Sequence, residues 1–316
     1  MLRDFGLVFG GSLRPLRVAP PFSPPTLHPP LTAEASTTTL KLLSWNLLAP
    51  CYVRPPQHEW LPRTQRQIEF VARSNADIIA LQEVWTANED YLQLWRAFAG
   101  KHGFTMSVTP RTNAKPDGCA MLVRQPVLAC EFSAYDYDDW GSRIVQVGKL
   151  RLPGLAEPLC VMNTHLTFPH ASAHDPPMRR QQGRKLAELV RTHTQPLCVV
   201  GDFNGALSDP AVQLLTSLGG LRPPPARPSG EPDGAEWVSH VAHTQAAMAC
   251  DLVLTRNACR CKEWSLGGSR ADLDAGAHGA LGSDHRPVLA TIEVGAAALE
   301  AEAAEAMAEA ERELHF

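Results

Sequence analysis

LCVVGDFN, residues 197–204, runs four apolar residues into a glycine and then sets an acid and an amide two positions apart. The apolar run reads as a buried strand, and Gly201 as the residue that permits a tight turn after it. Asp202 and Asn204 share one face if the segment is extended, because strand side chains alternate with a period of two. The same arrangement recurs on either side of this stretch. Asn46 follows LKLLSW (40–45), Glu83 follows DIIALQ (77–82) and His165 follows CVMNT (160–164); Asp251 opens DLVLT (251–255), and Asp284 with His285 precedes PVLATIEV (287–294). A single such residue is an ordinary turn or capping group. Repeated at strand ends along one chain, they are how sheet folds collect reactive groups.

Between these runs lie segments of helical spacing at residues 64–74, 90–99, 178–191 and 211–218, and further strand-like runs at 119–123, 143–152 and 159–162. Strands in groups with helices between them imply helices layered over sheets rather than one doubly wound parallel sheet. Residues 1–39 differ from the rest, with seven prolines between Pro15 and Pro30 and few groups to bury. This segment is expected to be disordered. It reads equally as an organellar targeting segment or as an unstructured terminus. Residues 219–236 are rich in Pro and Gly and read as a long, mobile surface loop. Residues 296–316 are mostly Ala and Glu and read as a solvated C-terminal helix. The working domain is then 40–295.

The chain has 316 residues, 44% of them hydrophobic and 20% charged, which suits an ordinary globular protein with a real core. No apolar run is long enough to span a membrane. Net charge is −4, and it sits at the ends. Setting aside three Arg and two acids in 1–40, and six Glu and one Arg in 296–316, leaves 25 basic and 25 acidic residues in between. A neutral core argues against gripping many nucleic-acid phosphates at once. Of the eight cysteines, Cys160 and Cys198 sit inside apolar runs, and Cys259-x-Cys261 has no second pair at zinc spacing. Reduced thiols in an intracellular protein, cytoplasmic or organellar, are expected. His170, His174, His193, His240 and His243 form no H-x-x-x-H pair with an acidic partner, and no G-x-S-x-G elbow exists. Zinc-protease and serine-hydrolase chemistry are therefore not indicated.

The set SWNLLAP (44–50), LQEVW (81–85), NTHL (163–166), GDFN (201–204), the Asp251 strand and GSDHRPV (282–288) resembles the endonuclease/exonuclease/phosphatase superfamily, the metal-dependent phosphohydrolases of the deoxyribonuclease type. The resemblance covers residues 40–294. WGSR (140–143), NTHLTFPH (163–170) and WVSH (237–240) look like a plant-type branch related to deadenylases and neutral sphingomyelinases. That branch often carries calcium-binding EF-hands. Here Asp136-x-Asp138 is followed by Trp140 where a third ligand is needed and by Val147 where the closing Glu should be, so calcium control is not supported.

The resemblance implies a four-layered α/β sandwich, two mixed sheets face to face with helices on the outer faces. It implies Mg²⁺ as cofactor, with Mn²⁺ as a substitute, held by Glu83, Asn46 and Asp284. Hard oxygen ligands suit that ion. His285 is the expected general base, an imidazole that titrates unperturbed near neutral pH, and the family pattern gives Asp251 the task of orienting it. Asp202 would position the attacking water, Asn204 and His165 would donate to the phosphate, Asn46 would also contact substrate, and Arg143 would clamp it. The expected activity is hydrolysis of a phosphate ester, first a nucleic-acid phosphodiester. A sphingomyelinase-like or phosphoinositide hydrolase is the alternative, and an inactive binding homologue is the rival from another class. No obligate protein partner is expected, and a nucleic-acid substrate is favoured over a lipid.

Overall fold

In the computed structural model, the apolar runs become strands buried on both faces. The structure describes residues 13–18, 37–53, 59–124, 126–127, 129–170, 172–224, 227–231, 237–242, 246–296, 298 and 300. Strand β2 (Thr37–Asn46) shows why its run is continuous rather than alternating. Leu40 and Leu42 face one apolar layer, while Leu43 and Trp45 face another. Both sets are removed from water, each large side chain contributing roughly 1.5–3 kcal/mol of transfer free energy.

Two six-stranded sheets result. The first orders β1 (Arg14–Leu16), β6 (Ala129–Asp136), β7 (Ile144–Arg151), β8 (Leu159–His165), β9 (Leu197–Asp202) and β12 (Asp251–Arg256). The second orders β13 (Cys259–Leu266), β14 (Val288–Gly295), β2, β3 (Ile78–Val84), β5 (Gly118–Val123) and β4 (Thr105–Pro110). Each sheet is antiparallel except for one pair: β8 with β9 in the first, and β2 with β3 in the second. Residues such as Leu42, Ile78, Met121, Val161, Val200 and Ile292 fill the space between the sheets. Helices α1 (Trp60–Ser74) and α2 (Glu89–His102) cover the outer face of the second sheet, with Val71, Trp95 and Phe98 on Leu43, Trp45 and Ile79. Helices α3 (Asp175–Arg191) and α4 (Pro210–Ser217) cover the first, with Leu186, Val190 and Leu215 on Val199 and Leu252. This is the four-layered α/β sandwich expected from the sequence.

The two sheets are also tied by amides near the ends of β3 and β8. Gln82 Nε2 donates to Asn163 Oδ1 at 2.8 Å, and Asn163 Nδ2 donates to the carbonyls of Leu81 at 3.0 Å and Ala120 at 3.1 Å. Leaving one of these buried groups unpaired costs about 1–3 kcal/mol, so the tie fixes one sheet end against the other. Glu83 and His165 lie within two residues of it.

Several expectations are corrected. Segment 1–39 is not uniformly without structure, since Arg14–Leu16 pairs with β6 and β2 begins at Thr37. Most of that segment lies outside the described residues, as does nearly all of 296–316. The described part of 219–236 is anchored rather than loose. Leu221 is buried, Arg222 exchanges backbone hydrogen bonds with Thr255, and Glu231 pairs with Arg286 at 2.7 Å. Strands β4, β6 and β13 were not expected. No helix among the described residues is long and apolar enough to cross a membrane.

Candidate active site

Strand register assembles the site. On the first sheet Asp202, ending β9, lies opposite His165 on parallel β8 and opposite Asp251 on antiparallel β12. One row across three strands thus carries all three residues. On the second sheet Asn46 ends β2 opposite Gln82, and Glu83 follows on β3. A register shift between Leu81 and Val84 and a left-handed Glu83 backbone (φ 52°) swing that carboxylate out of the regular alternation. A non-glycine residue in this region is strained, a feature that clusters at functional sites. Asn204 takes the same conformation, with φ 48°.

Asp202 Oδ2 is the hub where the two sheets' residues meet. Asn46 Nδ2 donates to it at 3.0 Å, His165 Nε2 lies 3.3 Å away and His285 Nε2 3.6 Å. The other oxygen, Oδ1, accepts the Asn204 N–H at 2.8 Å. Asn46 Nδ2 also reaches Glu83 Oε1 at 3.2 Å, while Glu83 Oε2 accepts the Ala49 N–H at 3.0 Å. Arg143 Nη1 sits 2.9 Å from His165 Nδ1. Because an arginine can only donate, His165 Nδ1 must accept, and the ring's proton then lies on Nε2 facing Asp202. Asn204 Nδ2 donates to the Leu166 carbonyl at 2.9 Å and lies against His165.

His285 precedes β14 and is fixed on several sides. Its Nδ1 contacts Asp251 Oδ2 at 2.9 Å, its N–H donates to Ser283 Oγ at 3.1 Å and its carbonyl accepts from Trp45 Nε1 at 2.9 Å. Ser283 Oγ in turn donates to the Asn46 carbonyl at 2.7 Å, joining the last motif to the first. His240, on the two-residue strand β10 (His240–Val241), stacks on His285 with ring centroids 3.9 Å apart and an interplanar angle of 15°. Its Nδ1 lies 2.9 Å from the Asp284 carbonyl. Every residue expected from the sequence is therefore found in one cluster: Asn46, Glu83, Arg143, His165, Asp202, Asn204, Asp251, Asp284 and His285.

Charge is unevenly distributed there. Burial, then Asp117 and Asp284, pushes the Glu83 carboxyl up to about 7. Burial alone would raise Asp202 too, but the His165 Nε2–H facing it, the charged His285 ring and the Asn46 amide that donates to it outweigh burial and hold that carboxyl well below the usual carboxylate range. Burial followed by the Arg143 charge keeps His165 neutral, well below an ordinary imidazole. For His285, burial opposes the charged ring, yet Asp251, Asp202 and Asp284 prevail and push it up to about 10. This differs from the unperturbed imidazole expected from sequence, because carboxylates face both of its nitrogens.

A divalent cation fits these residues. Glu83 sits among carboxylates that repel its charge, and the buried Oδ2 of Asp117 has no hydrogen-bond partner among the described residues. Glu83 and Asp284 supply hard oxygen, whereas Asn46, expected as a ligand, turns its Nδ2 to Glu83 and accepts the Leu48 N–H on its Oδ1 at 2.9 Å. His240, Asp284 and His285 also place one ligand atom each within 4.8 Å of one another.

Sequence reasoning missed four neighbours. His240 lies in the WVSH segment, yet nothing in the spacing shows that it stacks on His285. Arg111 pairs with Asp117 at 2.9 Å, and the Tyr52 hydroxyl donates to the same Asp117 oxygen at 2.7 Å. No motif marks these three.

The profile of the Endonuclease/Exonuclease/phosphatase family matches residues 43–285. The chain is 25% identical over 277 residues to an Arabidopsis thaliana protein named as an uncharacterized calcium-binding protein, covering 78% of this chain and 56% of that one. It thus spans about half the length of that relative. Among solved structures it resembles ANGEL2, a 2',3'-cyclic phosphatase crystallised with adenosine-2',3'-vanadate, at a TM-score of 0.69 and 18% identity over 82% of this chain and 96% of that one. It also resembles D. rerio TDP2 complexed with a single-strand DNA product, at a TM-score of 0.60 and 15% identity over 81% and 99% of the two chains. These likenesses show the fold, and the profile match shows that the chain belongs to the endonuclease/exonuclease/phosphatase family.

Proposed function

We propose that this member of the family is a Mg²⁺-dependent hydrolase of a phosphate ester in a nucleic acid, acting by attack of water with His285 as general base. The observation that carries the reading is the line Asp251–His285–Asp202, with 2.9 Å on one side of the imidazole and 3.6 Å on the other. Asp251 holds the Nδ1 proton and leaves Nε2 facing Asp202. That is the arrangement of an oriented base. The nucleic-acid choice is supported by the two structural relatives, one crystallised with adenosine-2',3'-vanadate, a nucleoside whose vanadate stands in for a phosphate, and the other with a single-strand DNA product.

Glu83 and Asp284 would hold the metal, and the Asn46 amide, donating to Glu83 Oε1, would position that carboxylate. When bound, the ion supplies positive charge that neutralises the phosphate and offsets the carboxylate field now keeping His285 protonated. The chain's own groups then divide the work. Asp202 orients a water through Oδ2, and neutral His285 takes that water's proton at Nε2. His165 donates its Nε2 proton to a non-bridging phosphate oxygen, and the Asn204 amide donates to another. Arg143 fixes the His165 tautomer and adds charge beside the phosphate. Donors placed where charge develops are the largest usual contribution to such catalysis.

The test is a panel of oligo-RNA, oligo-DNA, sphingomyelin and phosphoinositide with Mg²⁺, with Glu83→Gln as control. Cleavage of an oligonucleotide that is lost in the variant is expected. Turnover of lipid with no oligonucleotide cut would overturn the nucleic-acid substrate.

A further inference from the structure

We propose that the exposed indole of Trp140 is a stacking platform for a nucleobase next to the reacting phosphate, a subsite outside the hydrolytic cluster. The proposal deepens the nucleic-acid reading above and rests on it.

Trp140 is 61% exposed, whereas Trp45 and Trp95 are fully buried and Trp264 nearly so. A lone exposed aromatic carries no meaning by itself. What distinguishes this one is the loop that presents it. Residues 137–143 join β6 to β7 and end at Arg143, the partner of His165. They are held at both ends and at the turn. The Tyr137 N–H donates to the Arg143 carbonyl at 3.1 Å, and the Ser142 N–H closes a turn on the Asp139 carbonyl at 3.1 Å. Arg111 Nη2 donates to the Gly141 carbonyl at 2.6 Å, Asn113 Nδ2 to Ser142 Oγ at 2.9 Å, and Gln182 Nε2 to Asp139 Oδ2 at 2.7 Å.

The loop is also strained and tightly seated. Asp138 and Ser142 both lie in the left-handed region, with φ 52° and 55°. A Cβ on Gly141 would sit 2.6 Å from Thr167 Oγ1 and 3.0 Å from Asp139 Oδ1. Strain of this kind persists only where the surroundings over-determine it. Here they fix the residues on either side of Trp140 and leave its indole facing solvent. A rigid aromatic surface binds with little ordering cost.

Its position suits a nucleotide. Trp140 and Arg143 are three positions apart, a span of at most about 11 Å. The clamp on Gly141 comes from Arg111, whose partner Asp117 raises the Glu83 carboxyl, so the loop and the cation-binding residues share one support. A base attached to a phosphate held by Arg143 and His165 can therefore reach the ring. Every base has a π-face, so such a platform tolerates sequence. A choline headgroup also favours Trp, but as one wall of an aromatic cage. Among the described residues, no ring contact supplies a second wall at Trp140.

The test is the affinity of the metal-free, full-length protein for a short single-stranded oligonucleotide and for the same backbone with abasic sugars, read by tryptophan fluorescence and by calorimetry. The wild type should prefer the base-bearing strand by roughly 5- to 150-fold, the range of a lost base–aromatic stack. Trp140→Ala should erase that preference, and Trp140→Phe should keep most of it. A Trp140→Ala protein that discriminates as the wild type does would overturn the platform. So would phosphocholine binding that depends on Trp140 when the preference for bases does not. Cleavage with Mg²⁺ is measured in parallel. An oligonucleotide bound through Trp140 yet never cut refutes the hydrolase reading and leaves the platform standing.

Discussion

His285 Nδ1 lies 2.9 Å from Asp251 Oδ2, and both residues are removed from solvent at the junction of the two sheets. The pair acts as a unit in the proposed reaction, since the carboxylate sets the tautomer that frees Nε2. His285→Ala should lower kcat by roughly 10²–10⁴-fold, the usual worth of a general base. Asp251→Asn added to it should cost little more, because residues that work together are non-additive. Steady-state kinetics of the two single variants and the double variant check this. Multiplying losses would show that the two work separately.

Glu83 carries the metal expectation. Chelation with EDTA should abolish activity, and Mg²⁺ or Mn²⁺ should restore it. Mg²⁺ should also raise the melting temperature of the wild type, because a ligand bound only to the folded state stabilises it. Glu83→Gln should lose that shift. Thermal melts with and without the ion decide the point independently of turnover.

Electrostatics of the metal-free site predict a pH trend. Burial disfavours the His285 charge, but the surrounding carboxylates raise its pKa from about 6.5 in an unfolded chain to about 10 in the folded one. The folded state therefore binds more protons across this window. Its contribution is fully present below about 6.5 and is lost as pH rises through about 10. Melting temperatures of EDTA-treated protein should fall between these values, and fall less in Asp251→Asn. Parallel curves for the two proteins would contradict the assignment.

The neutral balance of residues 41–295 predicts recognition of few phosphates. Among the site's arginines, Arg111 is already committed to Asp117. The logarithm of kcat/KM against the logarithm of salt should have a shallow slope, near the roughly −0.7 expected per single-strand phosphate contact, and should not steepen with oligonucleotide length. A slope that grows with length would show an extended binding track.

Much of the candidate site is legible because most of its residues close or open an apolar strand. Asp202 after LCVVG and His285 before PVLATIEV needed only that pattern and the motifs that surround them. What the pattern lacked was register. Nothing in the sequence states that His165, Asp202 and Asp251 share one row, or that Glu83 is turned outward by a left-handed backbone. His240 does not stand out because its strand is only two residues long and its partner His285 lies more than forty positions away. Strands β4 and β13 escaped notice because they are sheet edges. In β13 the register shift between Cys261 and Glu263 also breaks the alternation that would have marked it. The segment at 14–16 reads as irregular and is ordered only by pairing with β6, more than a hundred residues away.

The central claim is that water, activated at the Asp202–His285 pair, attacks phosphorus. Cleavage of an oligonucleotide in ¹⁸O-labelled water with Mg²⁺, followed by mass spectrometry of the product phosphate, tests it most directly. The account predicts one ¹⁸O atom incorporated into the phosphate per single-turnover event, at a rate reduced roughly 10²–10⁴-fold in His285→Ala. Unlabelled product phosphate, or labelling at the wild-type rate in the variant, would contradict it.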